Sequence, residues 1–409
     1  MPTLLVLFIH SDDRRDFRVP EIEAVASLFN THLVFKTYPS VHFPFAWVDF
    51  ESLELARHIC SRCVLVHSVI DVFAHSSSWD KLLSTIKSMN SNNTLHPTLQ
   101  SAISDNVSFK FSPYTWGKKQ SQATHFQLME DIGACLEPIK STVCLTNPDY
   151  DLWIACYSPP PQCSDDSLQP HYFFGSAVGN SLRKSISPYR LPDRAFLGPT
   201  SMDTELSFVM ANLTKVRAGS VVYDPFVGTA STLVPVAYFN AFSIGADLDP
   251  TILKDYDHQS KKRGGPRCFQ NFSQYSLSRP DIIHSDVSSP SLSPCSVDAV
   301  VTDPPYGIKA GSRGLTRRGS DKPAKVPNSS RTQCKLSDFS SQSPLELIRT
   351  MLFTVLVVLR RGGRVCYWLP QPDCITLEPP FVEGFKVIAD CLQPCTSVFN
   401  RRLIVLEKE

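Results

Sequence analysis

The chain has 409 residues, of which 42% are hydrophobic and 19% are charged, and its formal net charge is +1. This composition is typical of globular protein, argues against wholesale disorder and leaves room for two or three domains. The thirteen cysteines lack the close spacing of a small disulfide scaffold, which favours reduced thiols in the cytosol or nucleus.

The first segment, "MPTLLVLFIHSDD", is predicted to form a strand. It has no basic region before its apolar run and no small-residue cleavage pattern, so we do not expect a signal peptide. Strand-like and helical runs then alternate up to about residue 172, in the order β-α-β-β-α-β followed by α-β-α-β, which predicts an α+β region. Cys60 and Cys63 form a CxxC pair without a second pair nearby, and we interpret them as buried free thiols rather than zinc ligands.

This half is divided by prediction into a ferredoxin-like α+β segment, residues 1–70, and a second α+β module, residues 71–175. Residues 176–194 are predicted to be a linker. From residue 195 to residue 409 the pattern changes to repeated strand-loop-helix units, which predicts a Rossmann-like, doubly wound parallel α/β sheet. The longest apolar block in this half, "MLFTVLVVL", is shorter than the roughly 20 residues of a membrane helix, so no membrane span is expected.

Acidic residues follow four successive predicted strands of the second half. Asp224 precedes a loop that contains Gly228, and Asp247 ends the next strand 23 residues after Asp224, where it can accept hydrogen bonds from ribose hydroxyls. Asp286 follows a third strand and suits an adenine amine, and Asp303 follows a fourth. Because ligands of open α/β sheets bind beyond the carboxyl ends of the strands, these acids predict one site. The loop lacks lysine, so a cofactor with ribose and adenine but without phosphate fits it.

The turn "TDPPYG" ends the fourth strand. Its prolines, Pro304 and Pro305, offer carbonyl acceptors but no N–H donors, so together with the Asp303 carboxylate the turn should receive a hydrogen-bond donor. Tyr306 adds an aromatic face. A basic run follows, and we predict RNA phosphate contacts for four of its residues, with a solvated loop as the alternative: Lys309, Arg313, Arg317 and Arg318.

These residues resemble the class I S-adenosylmethionine-dependent amino-methyltransferases, whose signature is (D/N)PP(Y/F). Several segments together resemble the narrower family of eukaryotic tRNA (guanine-10-N2) methyltransferase catalytic subunits: "FLGPTSMDTELSFVMANLTKV", "YDPFVGTAST", "TDPPYGIKAG", "RRGGRVCYWLP" and "NRRLIVLEKE". In the first half, "CLTNPDYDLWI" resembles the closing strand of a THUMP RNA-binding domain, and "FRVPEIEAVASLF" resembles the N-terminal segment of the family. The resemblance therefore implies a THUMP-like domain over residues 71–175.

The resemblance also implies a function: methyl transfer from S-adenosylmethionine to the exocyclic amine of guanosine 10 in tRNA, in the cytoplasm. It implies two partners, tRNA and a small zinc-binding activator subunit that forms a heterodimer with the catalytic chain. By position in the motifs, catalysis falls to Asp303, Pro304, Pro305 and Tyr306. The implied cofactor residues are Thr200, Ser201, Met202, Asp224, Pro225, Phe226, Gly228, Asp247 and Asp286.

Ala230 departs from the family, which usually has glycine at this position. If the backbone there needs a positive φ, alanine strains the loop and weakens cofactor binding. Two alternatives remain open: an amino-methyltransferase of another RNA or of adenine or cytosine in DNA, and an inactive RNA-binding homologue. The DNA alternative lacks a helix-turn-helix or zinc-finger pattern in the first half. Thr200 and Ser201 precede a helical pattern, so their alternative role is to cap that helix.

Overall fold

The computed structural model describes residues 1–40, 42–117, 120–159, 168–198, 201–249, 268–305, 344–372, 377–395 and 399–409. The chain divides into two compact units, Met1–Arg190 and Leu191–Glu409. Within the described ranges, no helix has the length and apolar character needed to cross a bilayer.

The first unit is built on one eight-stranded sheet with the strand order β2-β3-β1-β4-β8-β7-β5-β6. Its strands are β1 (Thr3–Phe8), β2 (Val34–Phe35), β3 (Phe45–Asp49), β4 (Val66–Ser76), β5 (Ser108–Trp116), β6 (Thr142–Val143), β7 (Tyr150–Tyr157) and β8 (His171–Asn180). Its helices are α1 (Arg18–Leu28), α2 (Leu53–Arg62), α3 (Trp79–Ser91), α4 (Pro97–Ala102), α5 (Gln122–Cys135) and α6 (Arg183–Ile186). The order from β1 to β4 is the predicted β-α-β-β-α-β.

Successive side chains point to opposite sides of a strand, and β1 is buried on both of these faces. Val6 and its neighbours on one face pack with residues of α1 and α2. Leu7 and Leu5 pack on the other face with aromatic residues such as Phe45 and Trp153. Glu21 of α1 is fully buried, and its carboxylate accepts hydrogen bonds from the backbone N–H groups of two residues just before β4. The helix and the sheet are thus joined by polar as well as apolar contacts.

Two boundaries within the first half differ from the prediction. The boundary at residue 70 falls inside β4, and the linker predicted for residues 176–194 begins inside β8, which is paired with both β4 and β7. Glycine lowers the strand signal of β8, yet Gly175 is needed because a Cβ there would lie 2.3 Å from the carbonyl oxygen of Asp71. We therefore divide the chain between residues 190 and 191.

The second unit contains a seven-stranded sheet with the order β11-β10-β9-β12-β13-β15-β14. Its strands are β9 (Val221–Asp224), β10 (Phe242–Asp247), β11 (Asp281–His284), β12 (Val297–Thr302), β13 (Leu359–Pro372), β14 (Phe385–Pro394) and β15 (Phe399–Lys408). Its helices are α7 (Thr204–Leu213), α8 (Leu233–Tyr238), α9 (Phe269–Gln274) and α10 (Pro344–Val358). The apolar side of α10 packs into a core that includes residues of β12, β13 and β15.

The predicted doubly wound sheet is confirmed for five strands, β9 to β13, which pair in parallel. The last two strands differ, because β15 is antiparallel to both β13 and β14. The short connection between Pro394 and Phe399 accounts for the antiparallel pair of β14 and β15, since a parallel pair needs a crossover of a dozen residues or more. The strand order reverses at β9, which lies between β10 and β12, so the carboxyl ends of β9 and β12 flank the crevice where such sheets bind ligands.

Candidate active site

The four acids predicted from the sequence lie at the ends of four neighbouring strands. Asp224 and Asp247 are the last residues of β9 and β10, Asp286 lies two residues beyond β11, and Asp303 directly follows β12. Because β11, β10, β9 and β12 are consecutive in the parallel part of the sheet, all four acids lie along one edge. The sheet therefore places these residues along the edge that contains the crevice, although their side chains have different surroundings.

Asp224 is buried, with 1% of its surface exposed. One carboxylate oxygen accepts hydrogen bonds from the Thr302 hydroxyl at 2.6 Å and from the backbone N–H of Phe226 at 3.0 Å. The other oxygen accepts a hydrogen bond from the Thr232 hydroxyl. Burial raises the pKa of Asp224 to about 6, against the opposing effect of these donors. Its carboxylate is thus held by protein groups on both oxygens, and Pro225 beside it is also buried.

The loop after β9 is hydrogen-bonded to the end of β10. Gly228 has a φ of 43°, and its N–H donates to one oxygen of the Asp247 carboxylate at 3.0 Å. The other oxygen of Asp247 accepts the N–H of Asp249 at 3.0 Å. A Cβ added to Gly228 would meet only the carbonyl oxygen of Phe226, at 4.0 Å, so space is open beside the loop backbone. A ligand can therefore approach this backbone closely.

Ala230 has a φ of 56° and is completely buried. The positive φ considered for this residue is present, so alanine occupies a left-handed conformation that costs a residue with a Cβ roughly 1–2 kcal/mol. Its N–H donates to the carbonyl oxygen of Val227 at 2.7 Å, which closes the turn.

The segment before α7 contacts the same loop. The Ser201 hydroxyl donates to the Thr229 hydroxyl at 3.2 Å, and the N–H of Met202 donates to the Ser231 hydroxyl at 2.9 Å. Asp203 caps α7 by accepting the N–H of Leu206 at 3.1 Å, so the capping role considered for Ser201 is wrong. Thr200 lies outside the described residues.

The remaining predicted site residues differ in exposure. Asp286 is exposed, and hydrogen bonds from the N–H and hydroxyl of Ser288, both 2.8 Å, hold the pKa of its carboxyl below the ordinary value. Asp303 is half-buried, Pro304 is buried and Pro305 is exposed. Five predicted residues lie outside the described part of the chain: Tyr306, Lys309, Arg313, Arg317 and Arg318.

Two site residues, Thr302 and Thr232, were not predicted. Thr302 is the last residue of β12 and is completely buried, and Thr232 is 6% exposed. The available signal was a hydroxyl directly before the "DPPY" turn and another at the end of "GTAST". Neither pattern indicates that both hydroxyls meet the same carboxylate.

The arrangement fits a nucleoside cofactor without phosphate. Residues 225–232, "PFVGTAST", contain no charged side chain, so the loop offers no cation to a phosphate group. Carboxylates lie at the ends of β10 and β11, where hydroxyl and amine donors of a ribose and an adenine can be accepted.

The chain is similar to known proteins over nearly its whole length. The family described as the Tmrp11 THUMP N-terminal domain matches residues 3–183. The tRNA (guanine(10)-N(2))-methyltransferase TRMT11 of Dictyostelium discoideum is 31% identical, over 100% of this chain and 82% of that protein. The protein of the same name from Homo sapiens is 30% identical, over 98% of this chain and 88% of that protein. Among solved structures, TrmN from Thermus thermophilus aligns over 100% of both chains, with 17% identity and a TM-score of 0.45.

Proposed function

Because the chain belongs to the tRNA (guanine(10)-N(2))-methyltransferase TRMT11 family, we propose that it methylates the exocyclic N2 amine of guanosine 10 in tRNA. The methyl donor is S-adenosylmethionine. The observation that carries the proposal is the position of Asp303 and Pro304 directly after β12, beside the loop that follows β9. An acceptor-rich turn and a cofactor loop thus flank the point where the strand order reverses.

The turn acts by positioning the guanine amine. The lone pair of this amine is delocalised into the ring, so the amine is a poor nucleophile. The Asp303 carboxylate and the Pro304 carbonyl accept hydrogen bonds from the two N–H groups of this amine and so direct its lone pair at the methyl group. When bound, S-adenosylmethionine would supply that methyl as an electrophile on sulfur and would leave as the neutral thioether. The methylated amine would pass its excess proton to the Asp303 carboxylate, which would release it to water. Asp303 need not be a strong base, and Tyr306 supplies a face on which the flipped base stacks.

Cofactor binding is assigned to the loop and the neighbouring strand ends. Asp247 accepts the ribose hydroxyls, and Asp286 accepts the adenine amine. The open space beside Gly228 supports close approach of the cofactor to the backbone. Thr200, Ser201 and Met202 complete the site from the segment before α7, a role supported by the contacts of Ser201 and Met202 with the loop.

The first unit supplies RNA binding. Its match to a THUMP N-terminal domain supports a role in holding tRNA, since a pocket that reads one base cannot alone select guanosine 10. RNA is generally recognised through its shape and phosphates, which suits a separate unit. The basic residues Lys309, Arg313, Arg317 and Arg318 are proposed to contact the phosphates near the target base.

We further propose that a small zinc-binding activator subunit forms a heterodimer with this chain, on the strength of family membership, and that the enzyme acts in the cytoplasm. The free cysteines of the described residues fit a reducing compartment. Affinity purification from cell extract followed by mass spectrometry tests the heterodimer, and microscopy of the tagged chain tests the compartment. Recovery of the chain alone, or in a membrane-enclosed oxidising compartment, would contradict these assignments.

The enzymatic proposal is tested with methyl-labelled S-adenosylmethionine and unmodified tRNA transcripts. We expect label in N2-methylguanosine at position 10, and none in a matched transcript with adenosine at that position. Asp303→Ala removes the side-chain acceptor and serves as the inactive control. Label transferred to DNA oligonucleotides instead would favour the DNA alternative, and cofactor and tRNA binding without any transfer would favour the inactive homologue.

A further inference from the structure

We propose that Thr302 is a positioning residue for the methyl-transfer reaction, because it ties the Asp303 turn to the cofactor loop through the carboxylate of Asp224. This inference rests on the proposed function of the site. It assigns a task to a residue outside the acid and proline motif, and it gives Asp224 a task that does not require contact with the cofactor.

Asp224 joins three segments that the reaction needs in register. Its carboxylate receives Thr302 from the end of β12, Thr232 from the helical end of the loop, and the N–H of Phe226 from the start of the loop. Thr302 is 78 residues from Asp224 in the chain and is the direct neighbour of Asp303. The hydrogen bond between them therefore links the two halves of the site across the crevice.

The hydroxyl of Thr302 matters because the two residues after Asp303 are prolines. Pro304 and Pro305 have no backbone N–H, so neither residue can anchor the turn by donating a main-chain hydrogen bond. The Thr302 hydroxyl lies 2.6 Å from the Asp224 carboxylate, so this hydrogen bond holds the last residue of β12 directly before Asp303. A shift of the turn by even about 1 Å can cost a hundredfold in rate, so this tether has a direct effect on the reaction.

A purely structural purpose does not explain this cluster. Val300 and Val301 precede Thr302 in the same buried strand, and a valine at residue 302 would fill nearly the same volume. A buried carboxylate costs stability even when donors offset part of that cost, and burial outweighs the three donors here, because the pKa of Asp224 is raised to about 6. Apolar residues of similar size do not have this cost. The polar cluster therefore fixes the relative positions of the three segments rather than adding stability.

The test compares Thr302→Val with Thr302→Ser and with a matched control, Thr214→Val. Thr214 is 3% exposed, and its hydroxyl donates to the carbonyl oxygen of Met210 at 2.8 Å, near the end of α7 and outside the site. We measure kcat with tRNA, the cofactor Kd by calorimetry, and the pH dependence of both, on the full chain in its active form.

Loss of a hydrogen bond to a charged group corresponds to a change of about tenfold or more. For Thr302→Val we therefore expect kcat to fall by about tenfold or more, and we expect cofactor affinity to fall by a smaller factor. Thr302→Ser should restore most of the loss, and Thr214→Val should match the wild type. Removal of the Thr302 donor also raises the pKa of Asp224, which burial and the nearby Asp303 already raise. The acid limb of both profiles should therefore move to higher pH in Thr302→Val alone.

Equal kinetics and unmoved profiles in Thr302→Val would overturn the inference, as would a serine variant as impaired as the valine variant. If Thr302→Val does not fold, Asp224→Asn replaces it and should remove the acid limb near pH 6; a retained limb would equally overturn the inference. A wild-type chain that binds the cofactor but methylates no tRNA would refute the proposed function only, because cofactor affinity and its pH profile still report on the link.

Discussion

Replacement of Asp224 by asparagine should change how the stability of the second unit depends on pH. Burial raises the pKa of Asp224 from 3.8 to about 6. A carboxyl whose folded pKa is raised contributes stability that is fully present below its unfolded pKa and is lost as the pH rises through the folded pKa. Since each pKa unit corresponds to about 1.4 kcal/mol, the full effect is about 3 kcal/mol, and the free energy of unfolding should fall by about 2 kcal/mol between pH 4 and pH 7 through this residue.

Asparagine keeps the shape of the side chain but does not titrate. The difference in unfolding free energy, wild type minus Asp224→Asn, should therefore decline by about 2 kcal/mol from pH 4 to pH 7. Any hydrogen bond that asparagine cannot make adds a constant offset, so the slope rather than the absolute difference is diagnostic. Scanning calorimetry at several pH values measures it, and the transition of the second unit is identified by its shift when S-adenosylmethionine is added.

Asp286→Asn is the control for this measurement. Hydrogen bonds from Ser288 lower the pKa of the exposed Asp286 carboxyl, so its contribution to stability is present above its ordinary pKa and is lost as the pH falls. The slope should have the opposite sign, be confined to the acid end and be small. A wild-type minus Asp224→Asn difference that stays constant from pH 4 to pH 7 would refute a buried, titrating Asp224.

Four further outcomes are expected. Asp303→Ala should reduce turnover below about a tenth of the wild-type value while the calorimetric cofactor Kd stays within about twofold, because the carboxylate acts on the methyl acceptor; comparable turnover would exclude it from the reaction. Asp247→Ala should weaken cofactor binding by about tenfold, as expected when buried ribose hydroxyls lose an acceptor, and an unchanged Kd would remove it from the site. Ala230→Gly should change cofactor affinity and turnover by less than about threefold, because relief of the left-handed strain is offset by the lost buried methyl and a more flexible unfolded chain; a large gain would mean that alanine impairs the native enzyme. Deletion of residues 1–190 should abolish tRNA binding in gel-shift assays yet retain cofactor binding, and methylation at the wild-type rate would show that the second unit selects its own substrate.

Local patterns predicted the elements whose signals are contained in one segment. The order from β1 to β4 followed from apolar periodicity, and the strand-end acids Asp247 and Asp303 followed from the polar residue after each buried run. The strand β8 was missed in part because Gly175 and Gly179 weaken its pattern. Gly175 allows close approach to β4 and Gly179 allows close approach to α2; both depend on long-range packing and leave no local periodicity.

The surroundings of Asp224 could not be predicted for a similar reason. The sequence places an acid after a strand and next to a glycine-containing loop, which indicates the crevice but not the direction of the side chain. Its partner Thr302 belongs to a strand 78 residues later, and the contact exists only because β9 and β12 are neighbours in the sheet. The positive φ of Ala230 likewise arises from the closed turn, although the comparison with glycine in the family drew attention to that residue.

The pH measurement and the Thr302 comparison together decide what Asp224 is for. If the buried carboxylate served stability alone, asparagine would destabilise the unit at neutral pH and leave the rate largely intact. If it serves register, asparagine should gain relative stability as the pH rises while the reaction slows, because functional sites commonly retain groups that reduce stability. The pH slope reports that the buried carboxylate titrates, and the rate decides between the two roles, so a variant whose relative stability rises with pH and whose reaction is slower identifies Asp224 as a residue kept for the geometry of the reaction.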